Sequence, residues 1–145
     1  MAVSASLPIR IERMKRRADF LRAQKSRRQV TPGLTLESCR SPDEVPLTEC
    51  RVGFTASRKI GSAVKRNRAK RRLRAAAASV LPLLGRAGHD YVLVARAATL
   101  SRPYAALVAD LTKALTTANA ELEAASKRGR SGARKDDDGP NRPRS

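Results

Sequence analysis

Acids are missing where a charged surface would ordinarily have them. From Arg51 to His89 the chain carries eleven Lys and Arg residues and not one Asp or Glu. A solvated helix face normally mixes signs in i,i+4 pairs, so an acid-free run must have its self-repulsion relieved by a partner. Metal-binding residues are equally scarce: one histidine and two cysteines, with no pair at ligand spacing, leave a zinc site nothing to stand on. A protein nuclease needs a carboxylate cluster or a histidine pair. Here His89 stands alone, and Asp19, Asp90 and Asp110 fall on different expected elements, so side-chain catalysis is disfavoured. No apolar run approaches the roughly 20 residues of a membrane-spanning helix. The longest, residues 75–84, opens with four alanines and is broken by Ser79 and Pro82. The opening Met1-Ala2-Val3-Ser4-Ala5-Ser6-Leu7-Pro8 lacks the charged leader and apolar core of a secretion signal, which points to the cytoplasm. In that compartment Cys39 and Cys50, on neighbouring expected strands, read as reduced bystanders.

What is present in excess is positive charge. Against 13 acids stand 31 Lys and Arg, a formal +18, far beyond what solubility requires, and that implies a polyanion. With no spanning segment, nucleic acid is favoured over a membrane. The 145 residues suit one compact domain. We place it at residues 10–126, after a flexible N-terminus over 1–9 and before a disordered tail over 127–145, which lacks apolar periodicity.

Within the domain, residues 17–25 predict a short basic helix. Residues 34–38 and 51–57 alternate as half-buried strands, the second with Val52, Phe54 and Ala56 on one face and Gly53, Thr55 and Ser57 on the other. That small-residue face leaves room for something to lie against the sheet. Ser62 is placed to cap a helix running to about Leu81, where Pro82 and Gly85 end it. Its core stripe is Ala69, Leu73, Ala76, Ala77 and Val80; Lys65, Arg68, Arg71, Arg72 and Arg74 fan across the remainder, and Arg66 sits at the rim. Residues 90–95 form the most continuously apolar strand, expected at the centre of the sheet. A last helix begins near Ser101 and Pro103 and carries Tyr104, Leu107, Val108, Leu111, Leu115, Ala118 and Leu122 at core spacing.

Arginine outnumbers lysine on the basic helix, and its planar fork bridges two phosphate oxygens where lysine is a point charge. Asn67 interrupts the cations and offers an amide to a base edge or sugar, or a local contact within the helix. Phe20, judged from residue type alone, is a core side chain first and a stacking platform for single-stranded RNA second.

The stretch Arg51-Val-Gly-Phe-Thr-Ala-Ser-Arg-Lys-Ile-Gly-Ser-Ala-Val-Lys-Arg-Asn-Arg-Ala-Lys-Arg-Arg-Leu-Arg74 resembles the signature of the bacterial ribonuclease P protein component. Arg66-Asn67-Arg68 matches its arginine-asparagine-arginine core, with Gly61, Ala63 and Val64 before it and Lys70, Arg71 and Arg74 after it. Arg17-Ala18-Asp19-Phe20 resembles the first-helix motif, and Asp90-Tyr91-Val92-Leu93-Val94-Ala95-Arg96 the late strand, so the likeness covers about residues 10–122. It implies a two-layer α/β sandwich (α+β), a small mixed sheet packed by helices, with the basic helix in a left-handed β-α-β crossover; general rules favour the right hand. It implies a subunit that joins a catalytic RNA and helps to remove the 5′ leader of precursor tRNA. The RNA performs the hydrolysis and binds most of the Mg2+, and no obligate protein partner is involved. Lys59, Arg66, Asn67, Arg68, Lys70, Arg71 and Arg74 would face the RNA subunit, with Lys65 added on charge. Phe20, with Arg17 in the same motif, and the open sheet face would hold the leader. Gln24 stands where some relatives carry a second aromatic, and Leu34-Thr35-Leu36 lacks the aromatic common in the first strand; with two Phe and two Tyr in all, leader stacking should be weaker here. A ribosomal protein or RNA chaperone shares the basic surface and is the alternative. A self-sufficient nuclease is the third.

Overall fold

The structure, a computed structural model, describes residues 9–132. Alternating residues of three strands supply one wall of the main core. Leu34 and Leu36 come from β3 (Leu34–Arg40), Cys50 and Val52 from β4 (Glu49–Thr55), and Tyr91, Leu93 and Ala95 from β5 (His89–Ala95). The stripe Ala69, Leu73, Ala76, Ala77 and Val80 of α2 (Ala63–Leu84) closes on them, joined by Leu107, Leu111, Leu115 and Ala118 of α3 (Tyr104–Gly132). Both stripes are those the helical spacing predicts, except that Tyr104, at the start of α3, is exposed and donates its hydroxyl to Ala75 C=O at the surface. Two short strands, β1 (Arg10–Arg13) and β2 (Arg27–Val30), complete a five-stranded sheet in the order β1-β4-β5-β3-β2. β1, β4 and β5 run parallel, while β3 is antiparallel to both β5 and β2. β5 is central, as its continuous apolar run requires.

The hand of the β4-α2-β5 crossover follows from one hydrogen bond. In a strand of L-residues drawn upward with a side chain toward the viewer, that residue's own N–H and C=O point right. Val52 packs toward α2, and its C=O accepts from the Met14 N–H on the β1 side, at 2.9 Å. β1 therefore lies to the right of β4 and β5 to the left, and α2 carries the chain leftward across the near face. The crossover is left-handed, against the general preference.

On the opposite face lies α1 (Arg17–Gln24), over a smaller cluster of Met14, Ala23, Cys39 and Val92. The space that the small-residue face of β4 offers is filled from within the chain. A Cβ on Gly53 would overlap Cε1 and Cζ of the Phe20 ring, so only glycine lets α1 approach this closely. Gly33 does the same for α3: its N–H donates to the Asp110 carboxylate at 3.0 Å, which a Cβ would displace.

Several expectations need correction. β1 and β2 are strands that periodicity did not indicate, because each is four residues long, basic and at a sheet edge. Pro82 does not end α2, which runs to Leu84; the N–H that proline lacks would have met Ala78 C=O on the exposed side, and the Gly85 N–H closes the turn on Leu81 C=O at 2.7 Å. α3 continues to Gly132, beyond the boundary at 126; the rest of the tail, 133–145, and residues 1–8 lie outside the described residues. Cys39 and Cys50 are not on neighbouring strands, since β5 separates them and they face opposite sides of the sheet.

Candidate nucleic-acid interface

α2 begins with Ser62 as N-cap, its Oγ accepting from the Lys65 N–H at 3.3 Å, and has no acid in its first turn. Burial of Ala69, Leu73 and Ala77 fixes the rotation of the helix. Arg66, Asn67, Lys70, Arg71 and Arg74 then fall on the flank toward β4 and β1, while Lys65 and Arg68 fall toward α3. Arg66 sits at the rim, as expected, and spends one N–H on Gly61 C=O at 2.8 Å. Asn67, Arg68 and Arg74 are exposed, as are Lys59, Lys65 and Arg71. Among the described residues, none of these exposed cations, nor Arg66 or Lys70, has an acidic partner within ion-pair distance. Arg72 is different: its guanidinium clamps the carbonyls of Thr99, at 2.8 Å, and Arg102, so it ties α2 to the loop before α3 and leaves the outward set.

Arg51 also leaves that set. Its fork is bidentate on the fully buried Asp90 carboxylate, at 2.9 and 2.7 Å, and its other nitrogen is 3.2 Å from Asp19. Arg22 of α1 reaches both acids, at 2.9 Å to Asp19 and 2.6 Å to Asp90, and Ser41 adds a hydroxyl at 2.6 Å. Asp19 and Asp90, distant in sequence, are thus brought together, and the two carboxylates are matched by two guanidinium groups. Burial pushes the Asp19 carboxyl up, but the hydrogen bonds from Arg22 and Arg51 outweigh that and hold it below the usual range. Hydrogen bonding to Asp90 first, and then to Asp19, holds Arg51 firmly protonated. This cluster locks α1 to the sheet, and sequence reading missed it because no local spacing links its members.

The lock sets the position of a groove. Arg17, Phe20, Leu21 and Gln24 of α1 form one wall, Thr55, Ala56 and Ser57 lie at the end of β4, and Arg28, Glu37, Val92 and Val94 form the floor, around about 380 Å³. Phe20 is half-buried, one side of its ring against Gly53 and the rest lining the groove, so it is both a packing residue and a groove residue. Arg17 is exposed at the same wall. Arg28 and Glu37 were not singled out from the sequence. The groove and the basic helix lie on opposite faces of the sheet; they approach one another where β4 ends at Thr55 and the chain turns through Arg58–Ile60, beside Lys59, into α2.

Carboxylates saturated by arginines are poor magnesium donors, and no group of three or more His, Cys, Asp or Glu converges among the described residues. The donor set among the described residues therefore does not fit a metal ion. His89 stacks on Tyr91 at 6.2 Å, and burial lowers its pKa. Both thiols are inert: burial raises Cys39, and burial followed by the charge of Asp90 pushes Cys50 up to about 12.

A mixed sheet with an unpaired cationic helix on one side and an arginine-rimmed groove on the other defines the class: a small α+β nucleic-acid-binding protein. The sequence profile of the family described as Ribonuclease P matches residues 9–119. The "Ribonuclease P protein component" of Paramagnetospirillum magneticum is 49% identical over 108 residues, covering 73% of this chain and 81% of the relative. That of Ruegeria pomeroyi is 48% identical over 115 residues, covering 79% and 91%. The solved RNase P protein of Staphylococcus aureus superposes with a TM-score of 0.59 at 25% identity, covering 73% of this chain and 94% of that one. The fold of the Thermotoga maritima RNase P protein matches with the same TM-score, 0.59, at 20% identity, over 71% of this chain and 94% of that one. The chain belongs to the ribonuclease P protein component family, and its function is that of such a component, RNA binding in tRNA 5′ processing. No described helix is long and apolar enough to cross a membrane.

Proposed function

We propose that this protein joins a catalytic RNA subunit in the cytoplasm and assists that RNA in removing the 5′ leader of precursor tRNA, without an obligate protein partner. Lys59, Lys65, Arg66, Asn67, Arg68, Lys70, Arg71 and Arg74 bind the RNA subunit, and Phe20 and Arg17 bind the leader. The observation that carries this is the set of outward cations on α2, left without acidic partners by the same fold that pairs Arg51 with two carboxylates and ties Arg72 to backbone carbonyls. Folded RNA, with closely spaced phosphates, supplies the missing counter-charge. The groove is partly open to solvent and carries one half-buried aromatic, which suits a single strand with a stacked base. Hydrolysis belongs to the RNA, and Mg2+ is held mainly by RNA, in keeping with a protein whose buried carboxylates are occupied by arginines. The test combines protein, cognate RNA subunit and precursor tRNA at low magnesium. Faster leader removal on adding protein is expected, and an unchanged rate overturns the assignment. Cleavage by the purified protein alone would instead make it a nuclease in its own right.

A further inference from the structure

The cationic flank of α2 ends on a hollow. After Arg74 the helix carries four alanines in a row, of which Ala77 is buried and Ala78 exposed. α2 lies over β4 and β5, and these short side chains leave space between it and the edge strand β1. The wall of that space is hydrocarbon: Ile11 of β1, Val52 and Phe54 of β4, and Ala77, Ala78 and Leu81 of α2 surround about 180 Å³. Two cations stand at its mouth. The Arg13 guanidinium lies over the Phe54 ring, 5.6 Å from its centroid, and Arg74 projects from the helix. Both are exposed, and neither has an acid within ion-pair distance among the described residues.

Concave apolar walls edged by a few polar groups are the usual form of a ligand site, and here the edge fixes the sign of what binds. An apolar side chain of a protein partner would fill the space without answering the two guanidinium groups. A nucleobase matches both parts, because its flat face stacks on an aromatic ring or a guanidinium plane and a phosphate follows it on either side. We propose that the hollow takes one unpaired base of the RNA subunit, turned out to stack against Phe54 beside Arg13, with its flanking phosphates on Arg74 and Lys70. The inference rests on the RNA-subunit role given to α2 above and adds to it a contact of a different kind. The hollow has less than half the volume of the leader groove and lies on the opposite face of the sheet, so it is a separate site, which holds a base and not a run of strand. Its wall has no hydrogen-bonding side chain, so it reads an unpaired base by its face and not by its edge.

The experiment titrates the full chain with its cognate RNA subunit, without precursor tRNA, at several salt concentrations, for wild type, Ala78→Leu and Phe54→Leu. Dimethyl sulfate and carbodiimide then map the unpaired bases of each complex. Leucine at position 78 keeps helix propensity and fills the hollow; leucine at position 54 keeps hydrocarbon there and removes the ring. Ala78→Leu should weaken Kd about tenfold, the scale of one lost stack of a base on an aromatic ring, and leave the slope of log K against log salt unchanged. Phe54→Leu should fall between that variant and wild type. Wild type should protect an unpaired nucleotide that Ala78→Leu leaves reactive, and thermal midpoints establish that both variants fold. Wild-type affinity in folded Ala78→Leu would overturn the proposal. So would a weaker affinity that comes with a lower salt slope, since the leucine would then act by displacing Arg74 from phosphate. A loss that appears only once precursor tRNA is added would move the base to the substrate and overturn the assignment to the RNA subunit. If wild type itself shows no salt-dependent affinity for that RNA, it is the role of α2 that fails.

Discussion

Asp90 is fully buried and meets two guanidinium groups and a hydroxyl, so its charge is compensated from three sides. Replacing it by Asn leaves Arg51 and Arg22 facing each other and Asp19 alone to balance them. Removing one member of such a buried cluster costs about 3–5 kcal/mol. Urea denaturation of Asp90→Asn should show that loss, and a loss below about 1 kcal/mol would mean that solvent reaches the cluster. Asp19 gives a pH signature of the same lock. Its folded-state pKa is depressed below the ordinary 3.8, so it stabilises the fold above that value, and the contribution is lost as pH falls through the lower folded value. The thermal midpoint of wild type should therefore drop more steeply as pH falls below about 4 than that of Asp19→Asn, which has no carboxyl to protonate. Phe20 tests the groove. Phe20→Ala should weaken precursor tRNA more than mature tRNA, as read by KM for the one and Ki for the other. Equal losses would make the ring a packing residue only.

At the scale of elements, α2 works against its own folding. Its first turn carries cations at the positive end of the helix dipole, and Arg66, Lys70 and Arg74 follow one another at i,i+4, where each like-charged pair costs a few tenths of a kcal/mol. Helicity is held by the Ser62 cap and by the buried stripe from Ala69 to Leu81. Ser62→Ala should lower stability by about 1 kcal/mol, and a short polyphosphate should raise the melting temperature by relieving the repulsion, less so in Lys70→Ala/Arg71→Ala/Arg74→Ala. Differential scanning calorimetry reads both effects. α2, α3 and β5 were legible in the sequence because apolar period and capping residues are local signals. β1 and β2 were not: Arg-Ile-Glu-Arg and Arg-Arg-Gln-Val show no apolar alternation, and their strand character comes from pairing with β4 and β3. The candidate site was legible in the same partial way. The Arg66–Arg74 surface is continuous in sequence and was read from it, whereas the groove draws its wall from α1 and its floor from β2, β3 and β5. Arg51 and Arg72 show the limit most clearly. Composition counts both as cations for RNA, and only tertiary partners, two carboxylates for one and two carbonyls for the other, reveal that they are spent inside.

Across the whole molecule, a formal charge of +18 overstates the charge available to RNA, because several arginines are ion-paired internally, whereas the outward cations of α2 have no acidic partner among the described residues. Two faces with different chemistry follow from this distribution. On the proposed reading, the α2 face would bind phosphates through its cations and release counterions, so its affinity would fall steeply with salt. The groove face would bind through one aromatic and a mixed polar and apolar floor, so much of its contribution would persist when charge is screened. Titrating the RNA subunit at several salt concentrations should give a steep linear fall of log K with log salt. In Lys70→Ala/Arg71→Ala/Arg74→Ala the slope should drop by about 2 to 3, at roughly 0.7 to 0.9 for each phosphate no longer neutralised. Phe20→Ala should leave that slope where it was and alter only the binding of leader-bearing substrate to the assembled complex. A triple variant with an unchanged slope would show that these three side chains do not meet phosphate. A Phe20 variant with a reduced slope would show that the two faces are not independent, and that the sheet between them transmits the occupancy of one to the other.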